Sequence, residues 1–581
     1  MAGSVIAVLL LGAPTAQADY KSDVSYTALQ SELGAAMPDG SGIPVSHVEA
    51  SILVGTDSAW MPDTSNSEFS GKTITDVSGA VPGVFSGHAT AVGKKFYGNV
   101  TSTSPGITTI ASLLADHWLG SGFLRVNTGG SPVFQPLSSA SRISNHSWVG
   151  NAGTYNTDSL ARLDWAIETD EMVQTVGFNG TASNPLLSSA YNVISVNNTA
   201  VPTTAGSASG GGIYTSGRTK PEIVAPANNT SSATPRVSSA AALLIEVAHN
   251  NPGLSTDPAG IFTSNRNGDT IYNAERVEVI KAALMAGADR ETGNSTSTDI
   301  TDYRVAAADQ TANGLDRRFG AGQLNIQNSY HVIAAGEQNS AEDQAGGSGL
   351  IGSTGFDYDP AFGGSGGSNS TATYYFAPTA GPVRLTVALA WNLSVAGGTP
   401  NNFDGTATLY DLNLQLYDVT DPGNWILVDS STSTNENTEN LWLILGAGKN
   451  YALQVKPGAG QGAFKWDYGL AWQLTPLPPL VLSENYAPPA AFENEFYWWD
   501  GLSASGGQPP YTFSLAGGWL PWPMTIDPQT GVISGVPANT TTAYFTIQVT
   551  DANSDTATFQ SQITVQQAGY VCGACHNASG F

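Results

Sequence analysis

The sequence has few charged residues, and positive charge is the scarcest. Only 12% of its 581 residues are charged, against roughly 25% in an average globular protein. Hydrophobic residues make up 41%, so the composition excludes a disordered chain, which needs few apolar residues, and a coiled coil, which is rich in Glu and Lys. Lys and Arg number 21 against 47 Asp and Glu, a net charge of −26. Such a surface repels phosphates and anionic lipid headgroups, so we expect no nucleic-acid or peripheral-membrane role.

Long apolar runs are also missing, so we expect no integral membrane protein. The short apolar run at residues 5–11 is followed by Ala-Gln-Ala at 16–18, a small-residue cleavage pattern. We interpret residues 1–18 as a signal peptide cut after Ala18, with an ordinary buried strand as the alternative because no Lys or Arg precedes the run. The sequence therefore predicts a secreted or cell-surface protein, periplasmic or extracellular.

What the chain has instead is glycine, proline and a regular alternation of patterns. Gly numbers 65 and Pro 32, typical of a chain rich in loops and strands. Within residues 19–340, short apolar runs alternate with helix-like segments, which predicts an α/β domain with a parallel sheet and helices on both faces. The clearest predicted strands are 43–49 and 171–177, and the clearest predicted helices are 159–169, 235–249 and 274–286.

The second half predicts β structure. Residues 341–370 are crowded with Gly and Ser, the composition of a flexible linker. Residues 371–475 carry alternating or apolar runs separated by turn residues, which predicts a β-sandwich. A second all-β module is predicted over 480–566, followed by a tail at 567–581.

Four residues of the α/β region form a pattern suited to nucleophilic catalysis. Glu49 ends a predicted strand, His88 opens a helix among small residues, Asn179 follows another strand, and Ser231 starts an apolar helix. A serine hydroxyl needs an imidazole to take its proton during attack, and a carboxylate on the other ring nitrogen fixes the tautomer. The tetrahedral oxyanion needs preplaced donors, which a side-chain amide and a backbone N–H at a helix start supply.

These segments, in this order, resemble the subtilisin-like serine proteases (subtilases, the peptidase S8 family). The strongest match is Asn-Thr-Ser-Ser-Ala-Thr-Pro at residues 229–235, after Lys-Pro-Glu-Ile-Val-Ala-Pro at 220–226. Further matches are Ser-Asn-His-Ser-Trp at 144–148 and Phe-Gly-Ala-Gly-Gln-Leu-Asn at 319–325. The resemblance covers about residues 38–336 and implies a subtilisin-like fold and a secreted serine endopeptidase acting on protein or peptide substrates.

The resemblance also implies a role for each residue. Ser231 falls at the nucleophile, His88 at the general base, Asn179 at the oxyanion hole, and Glu49 where the family has Asp. Glu is one methylene longer, roughly 1.5 Å, so the strand must sit back from the cleft or the pair is misaligned. Asn229 replaces the family's glycine. The alternative function is a catalytically inactive surface or binding protein that keeps the protease fold.

Both β modules carry resemblances of their own. Residues 385–391 and 410–417 resemble the jelly-roll domains that follow many subtilases. Carboxylates at Asp404, Asp411 and Glu436 could hold calcium through oxygen ligands, with solvated turn acids as the alternative. Residues 506–515 and 526–537 resemble bacterial Ig-like domains of secreted and surface proteins, which bind extracellular or cell-surface partners. The tryptophans there, for which core and hairpin packing is expected ahead of a binding face, are Trp498, Trp499, Trp519 and Trp522.

The chain's two cysteines lie close to its end. Cys572, Cys575 and His576 form Cys-Gly-Ala-Cys-His, the attachment pattern of haem c, in which the His is an axial ligand. A small disulfide loop in an oxidising compartment is the alternative. The motif adds a second alternative function, a haem-tethered electron-transfer or assembly component.

Overall fold

The structure of the protein is a computed structural model that describes residues 19–126, 133–179, 181, 183–343 and 348–568. The predicted signal peptide at 1–18 and the Cys-x-x-Cys-His motif lie outside these residues. The chain divides into two compact units. The first consists of Met1–Ala377, Leu385–Leu443 and Asn450–Leu474, and the second of Pro378–Arg384, Ile444–Lys449 and Thr475–Phe581.

A seven-stranded sheet forms the centre of the first unit. Each neighbouring pair of its strands is parallel. In spatial order the strands are Thr73–Asp76, Thr109–Leu114, Val45–Glu49, Ile143–His146, Val173–Gly177, Ile194–Asn198 and Ile223–Ala225. Five of them, all except Thr73–Asp76 and Thr109–Leu114, are buried at every position, as in a parallel sheet covered on both faces.

In sequence order, two helices of the first unit precede these strands, three lie between them and three follow them. They are Tyr20–Asp23, Tyr26–Leu33, Gly87–Tyr97, Ala115–His117, Asn156–Asp170, Thr230–Asn250, Val277–Gly287 and Ile326–Ala334. The longest, Thr230–Asn250, packs on the strands Ile143–His146, Val173–Gly177 and Ile194–Asn198. Its buried face contains consecutive alanines at 240–242, and small side chains let a helix approach a sheet closely. It begins five residues before the predicted start at 235, because Asn229 caps it.

Two β-sheets follow in the first unit's sequence. The five-stranded sheet contains, in spatial order, Leu350–Ile351, Ala372–Phe376, Tyr451–Pro457, Leu412–Asp418 and Ile426–Ser431. The four-stranded sheet contains Thr354–Phe362, Trp466–Pro476, Val383–Ala390 and Thr438–Leu445. An α/β region followed by β-sheets confirms the predicted fold class.

The predicted linker at 341–370 is wrong over much of its described part. Leu350–Ile351 pairs with Ala372–Phe376, and Thr354–Phe362 pairs with Trp466–Pro476. The strand Thr354–Phe362 is largely buried. Burial of its aromatic side chains therefore stabilises an ordered strand in spite of the flexible glycines that flank it. It is an edge strand with a register shift between Asp359 and Phe362, where a proline such as Pro360 is tolerated.

The second unit contains β structure. Its four-stranded sheet has the order Ala491–Phe492, Thr556–Gln566, Thr541–Thr550 and Thr512–Gly518, and its three-stranded sheet the order Tyr497–Trp499, Ile533–Gly535 and Thr525–Ile526. Val481–Glu484 pairs with Leu502–Ser505. In Thr541–Thr550, buried residues alternate with half-buried or exposed ones over much of the strand, as expected for a sheet with one face toward solvent.

Of the four tryptophans for which core and hairpin packing is expected, Trp499 is fully buried. Trp498, Trp519 and Trp522 are 52%, 48% and 73% exposed. Trp498 and Trp499 are neighbours on one strand, where successive side chains point to opposite faces, so only one of them can enter the core.

Three short hairpins complete the strands. They pair Ile52–Val54 with Asp57–Ala59, Phe262–Ser264 with Thr270–Tyr272, and Ser394–Val395 with Ala407–Thr408. Within the described ranges, no helix has both the length and the apolar character needed to cross a bilayer.

Candidate active site

The predicted catalytic residues lie at the carboxyl edge of the parallel sheet. Glu49 is the last residue of its strand, and Val48 pairs with His146 of the next strand, so Glu49 and Ser147 leave the sheet side by side. In turn His146 pairs with Val176, two residues before Phe178 and three before Asn179. Because ligands bind at the carboxyl ends of the strands in open α/β sheets, this edge is where a site is expected.

Glu49 reaches His88 in spite of its extra methylene. The His88 Nδ1 lies 2.7 Å from Glu49 Oε2. The carboxylate is 1% exposed and the imidazole side chain 40% exposed, so the acid is buried while the base is accessible to solvent. Since Nδ1 donates to the carboxylate, Nε2 carries the lone pair that accepts a proton. The longer acid is therefore aligned with the base.

The electrostatics of this pair favour an ionised acid. Burial alone would raise the pKa of Glu49, but hydrogen bonds from His47 and His88 lower it below its ordinary value. The hydrogen bond to Glu49 raises the pKa of His88 above its ordinary value, although partial burial opposes this. The carboxylate therefore stabilises the imidazolium that forms when His88 takes a proton.

The helix Gly87–Tyr97 positions His88 at its second residue. Ser86 caps this helix, because its hydroxyl accepts a hydrogen bond from Ala89 N–H at 3.1 Å. The helix packs against Thr230–Asn250, which carries Ser231 at its own second residue. Base and nucleophile thus both stand at the amino ends of helices that touch.

Asn229 begins the nucleophile helix without backbone strain. Its φ of −159° is extended, a conformation that any residue adopts, so replacing glycine here has no steric cost. Its side chain accepts from Ser232 N–H at 2.9 Å, which satisfies one of the free donors of the first turn. The substitution that sets this motif apart from the family pattern supplies a helix cap.

Ser231 is hydrogen-bonded to Ser147 in both directions. The Ser231 hydroxyl donates to the Ser147 carbonyl at 3.2 Å, and the Ser147 hydroxyl donates to the Ser231 carbonyl at 3.3 Å. The second bond has a cause in the sequence, since Pro235 has no N–H to offer the carbonyl four residues before it. In the described part of the chain, no hydrogen bond joins Ser231 to His88.

Asn179 follows a strand whose end lies next to the start of the helix Thr230–Asn250. Asn179 is half-buried and follows the strand Val173–Gly177 by two residues. A Cβ added to Gly177 would lie 3.3 Å from Thr234 Oγ1 and 3.7 Å from Thr230 Oγ1, so this strand end lies against the first turns of the nucleophile helix. The first N–H groups of a helix have no intrahelical acceptor, which makes Ser231 N–H available as a donor.

Sequence reasoning missed His47 and Tyr97. His47 Nε2 lies 2.9 Å from Glu49 Oε1, and His47 Nδ1 lies 2.9 Å from the Tyr97 hydroxyl. The period of two along a strand, which puts residues 47 and 49 on one face, was a signal that could have identified His47. Tyr97 carried no such signal, because its contact depends on how the helix packs on the sheet.

The other predicted sites are placed differently or lie outside the described residues. Asp404 accepts from Thr406 N–H, and Glu436 accepts from Thr219 N–H. Among the described residues, no group of three or more His, Cys, Asp or Glu side chains could hold a metal ion, and calcium at Asp404, Asp411 and Glu436 stays a prediction. Cys572, Cys575 and His576, the haem prediction, fall outside the described ranges.

Comparison with known proteins gives partial matches. No curated protein matches the chain. The solved structure of a serine protease, MycP1, described as an essential component of the type VII (ESX-1) secretion system, is 13% identical with a TM-score of 0.30, covering 54% of this chain and 89% of that one. A putative alpha-galactosidase from Bacteroides fragilis is 22% identical with a TM-score of 0.13, covering 15% of this chain. This chain spans 17% of that enzyme's length.

A small domain gives a further structural match, and one segment matches a family model. The PKD domain of human KIAA0319 is 14% identical with a TM-score of 0.13, covering 17% of this chain and 92% of that one. Overlaps of this size assign no activity. Residues 499–566 match the family model "Putative Ig domain", so this segment of the second unit is an Ig-like domain.

Proposed function

We propose that the protein is a serine endopeptidase of the subtilase type that hydrolyses peptide bonds. Ser231 is its nucleophile, His88 its general base and Glu49 the acid that orients the base. The observation that carries this proposal is the 2.7 Å hydrogen bond between Glu49 Oε2 and His88 Nδ1. It lies at the sheet edge where Glu49 adjoins Ser147, the residue bonded to Ser231.

The proposed reaction has two steps, acylation of Ser231 and hydrolysis of the acyl-enzyme. His88 Nε2 takes the hydroxyl proton of Ser231 as Oγ attacks the peptide carbonyl, and the imidazolium then protonates the leaving amine. Water, deprotonated by the same nitrogen, attacks the acyl-enzyme and releases Ser231. During both attacks the negative charge on the carbonyl oxygen is met by Asn179 and Ser231 N–H.

The Ser231 side chain must turn before it reacts. Its hydroxyl donates to the Ser147 carbonyl, so the proposed reaction requires a rotation about the Cα–Cβ bond that redirects the proton to His88 Nε2. Catalytic hydrogen bonds are often formed only in the substrate complex, so we expect this rotation to accompany substrate binding.

The composition and the Ig-like match support an extracellular or cell-surface location for this activity. We place the protein outside the cytoplasm, because the predicted signal peptide and the acidic, Lys-poor composition suit an exported protein. Its substrates are then extracellular or cell-surface proteins, and the β modules are the parts suited to binding them or the surface that carries them.

A second candidate is a non-catalytic binding protein that keeps the protease fold. The reciprocal bonds between Ser231 and Ser147 favour it, because they occupy the hydroxyl proton that a triad would direct to His88.

A fluorophosphonate probe separates the two functions. We expect the probe to modify the wild-type protein and a Ser232→Ala variant, but not a Ser231→Ala variant or a His88→Ala variant. Ser232 is the matched control, since it is a partly exposed hydroxyl in the same helical turn. A well-folded wild type that the probe does not modify, and that cleaves no unfolded protein, contradicts the peptidase and favours the binding protein.

A further inference from the structure

Glu49 is held by two imidazoles, one on each carboxylate oxygen. His88 Nδ1 lies 2.7 Å from Oε2, and His47 Nε2 lies 2.9 Å from Oε1. The general base of a triad accounts for the first contact only. The second needs its own explanation, because His47 is fully buried and never meets substrate.

His47 is itself fixed by a third group. Its Nδ1 lies 2.9 Å from the hydroxyl of Tyr97, which is also fully buried. Burial raises the pKa of Tyr97 well above its ordinary value, so the phenol keeps its proton and donates it to Nδ1. Nε2 then carries the ring proton and donates to Glu49. The tyrosine thereby selects the tautomer of His47 that the carboxylate requires.

The sequence makes room for this tyrosine on the helix that carries His88. Tyr97 follows Gly93 by one helical turn, and a Cβ added to Gly93 would lie 2.6 Å from the Tyr97 hydroxyl. The phenol therefore lies across a glycine, and no other residue fits beneath it without a shift. The hydrogen bond between Tyr97 and His47 thus joins the helix that carries His88 to the strand that carries Glu49.

We propose that His47 is a positioning residue, which with Tyr97 locks the Glu49 carboxylate in the orientation that His88 requires. This inference rests on the proposed function. With both oxygens engaged, the carboxylate cannot rotate, and the direction of Oε2 fixes the plane of the His88 ring. Without His47, Oε1 is a buried acceptor lacking a partner, a costly state, and the carboxylate turns away from His88 to find one.

Two substitutions of His47 test this proposal as a matched pair. The Gln amide overlays the Nε2 end of the imidazole, so His47→Gln keeps a donor for Glu49. The shorter Asn amide overlays the Nδ1 end, so His47→Asn keeps a partner for Tyr97 but leaves Glu49 Oε1 bare. Both variants retain one polar contact and reduce volume, so a purely structural role of His47 predicts similar behaviour from them.

Two measurements on full-length protein separate the outcomes. The first is the rate of fluorophosphonate modification, which we expect to fall on the order of 10- to 100-fold in His47→Asn, as when outer partners of functional ligands are removed, while His47→Gln retains most of it. The second is the NMR resonance of the His88 Nδ1 proton, assigned by its loss in His88→Ala. We expect it at low field in wild type and His47→Gln, and shifted upfield or lost in His47→Asn.

The second measurement does not depend on catalysis. If wild type is not modified by the probe, the proposed peptidase fails, yet the resonance still reports whether His47 orients the Glu49–His88 pair. Equal rates and an unchanged resonance in both folded His47 variants overturn the positioning role. Should both variants fail to fold, Tyr97→Phe, which removes one hydroxyl, decides: a smaller loss in the same direction supports the proposal, and an unchanged rate and resonance overturn it.

Discussion

The parallel sheet and the Ig-like domain bury different kinds of side chain. In the sheet, the buried residues include His47, Glu49, Asn145, His146 and Gln174. In the described residues from Thr475 onward, Asp551 is the single buried polar or charged residue, and the core consists of residues such as Trp499, Phe545 and Ile547. Buried polar groups need partners and destabilise a fold that lacks them. The sheet therefore holds buried polar groups in fixed positions, as the proposed catalytic role requires, whereas the Ig-like domain has an apolar core.

Replacing Glu49 should give the largest effect on activity, and it tests whether the buried polar groups of the sheet serve catalysis. Glu49→Gln keeps the shape of the side chain but removes its charge, so one of the two histidines must change tautomer. We expect the rate of substrate cleavage to fall about 10⁴-fold, as in proteases whose triad acid is made an amide. The measurement is kcat/KM on a fluorogenic peptide.

The matched control for that variant is Glu32→Gln. Glu32 Oε2 lies 3.2 Å from His331 Nε2, and both side chains are about 40% exposed, so this is a Glu–His pair outside the site. A similar loss of activity in both variants would contradict a special role for Glu49.

A substitution in the core of the Ig-like domain tests whether the buried side chains there stabilise the fold. Trp499→Ala removes a fully buried indole and should lower the free energy of unfolding of this domain by about 3–5 kcal/mol. Trp498→Ala, at the neighbouring exposed position, should change it by about 0.5 kcal/mol or less. Denaturant unfolding followed by tryptophan fluorescence measures both, and equal losses would mean that the two indoles do not differ in burial.

Removing the amide at the sheet edge should have an intermediate effect on catalysis alone. Asn179→Ala deletes one oxyanion donor, and we expect kcat to fall about 10²- to 10³-fold, equivalent to about 2.7–4 kcal/mol of transition-state stabilisation. The unfolding midpoint should stay near that of wild type, since Asn179 is only half-buried. A fall in stability without a fall in kcat would place Asn179 with the packing residues.

The smallest expected effect is a shift along the pH axis. Protonated His88 cannot accept the Ser231 proton, so activity falls as the pH drops through the pKa of His88. Because the hydrogen bond to Glu49 raises that pKa, we expect the acid limb of kcat/KM above the ordinary histidine value of about 6.5. In Glu49→Gln the His88 ring should titrate at lower pH, as followed by NMR. An unchanged titration would show that Glu49 does not act on His88.

The comparison also explains what the sequence could predict. Glu49, His88 and Asn179 could be chosen as candidate site residues because each stands at the end of a strand or the start of a helix, where local pattern and motif coincide. The Ig-like domain was identifiable for the same reason, since residues 506–515 and 526–537 carry its resemblance within short stretches of sequence.

The parts that were missed depend on contacts distant in sequence. Tyr97 meets His47 across fifty residues, which no local pattern encodes. Residues 354–362 resembled a linker because their neighbours are glycines, and only pairing with Trp466–Pro476 turns them into a strand. Asn229 looked like a defect in the motif, but its extended backbone and its cap to Ser232 make it suited to the helix start.

The most direct test of the central claim is a crystal structure of the protein after reaction with a fluorophosphonate. The account predicts phosphorus bonded to Ser231 Oγ, His88 Nε2 within about 3.2 Å of that oxygen, and a phosphoryl oxygen between Asn179 Nδ2 and Ser231 N–H. Phosphorus on another residue, or a Ser231 adduct with His88 turned away from Glu49, would contradict it.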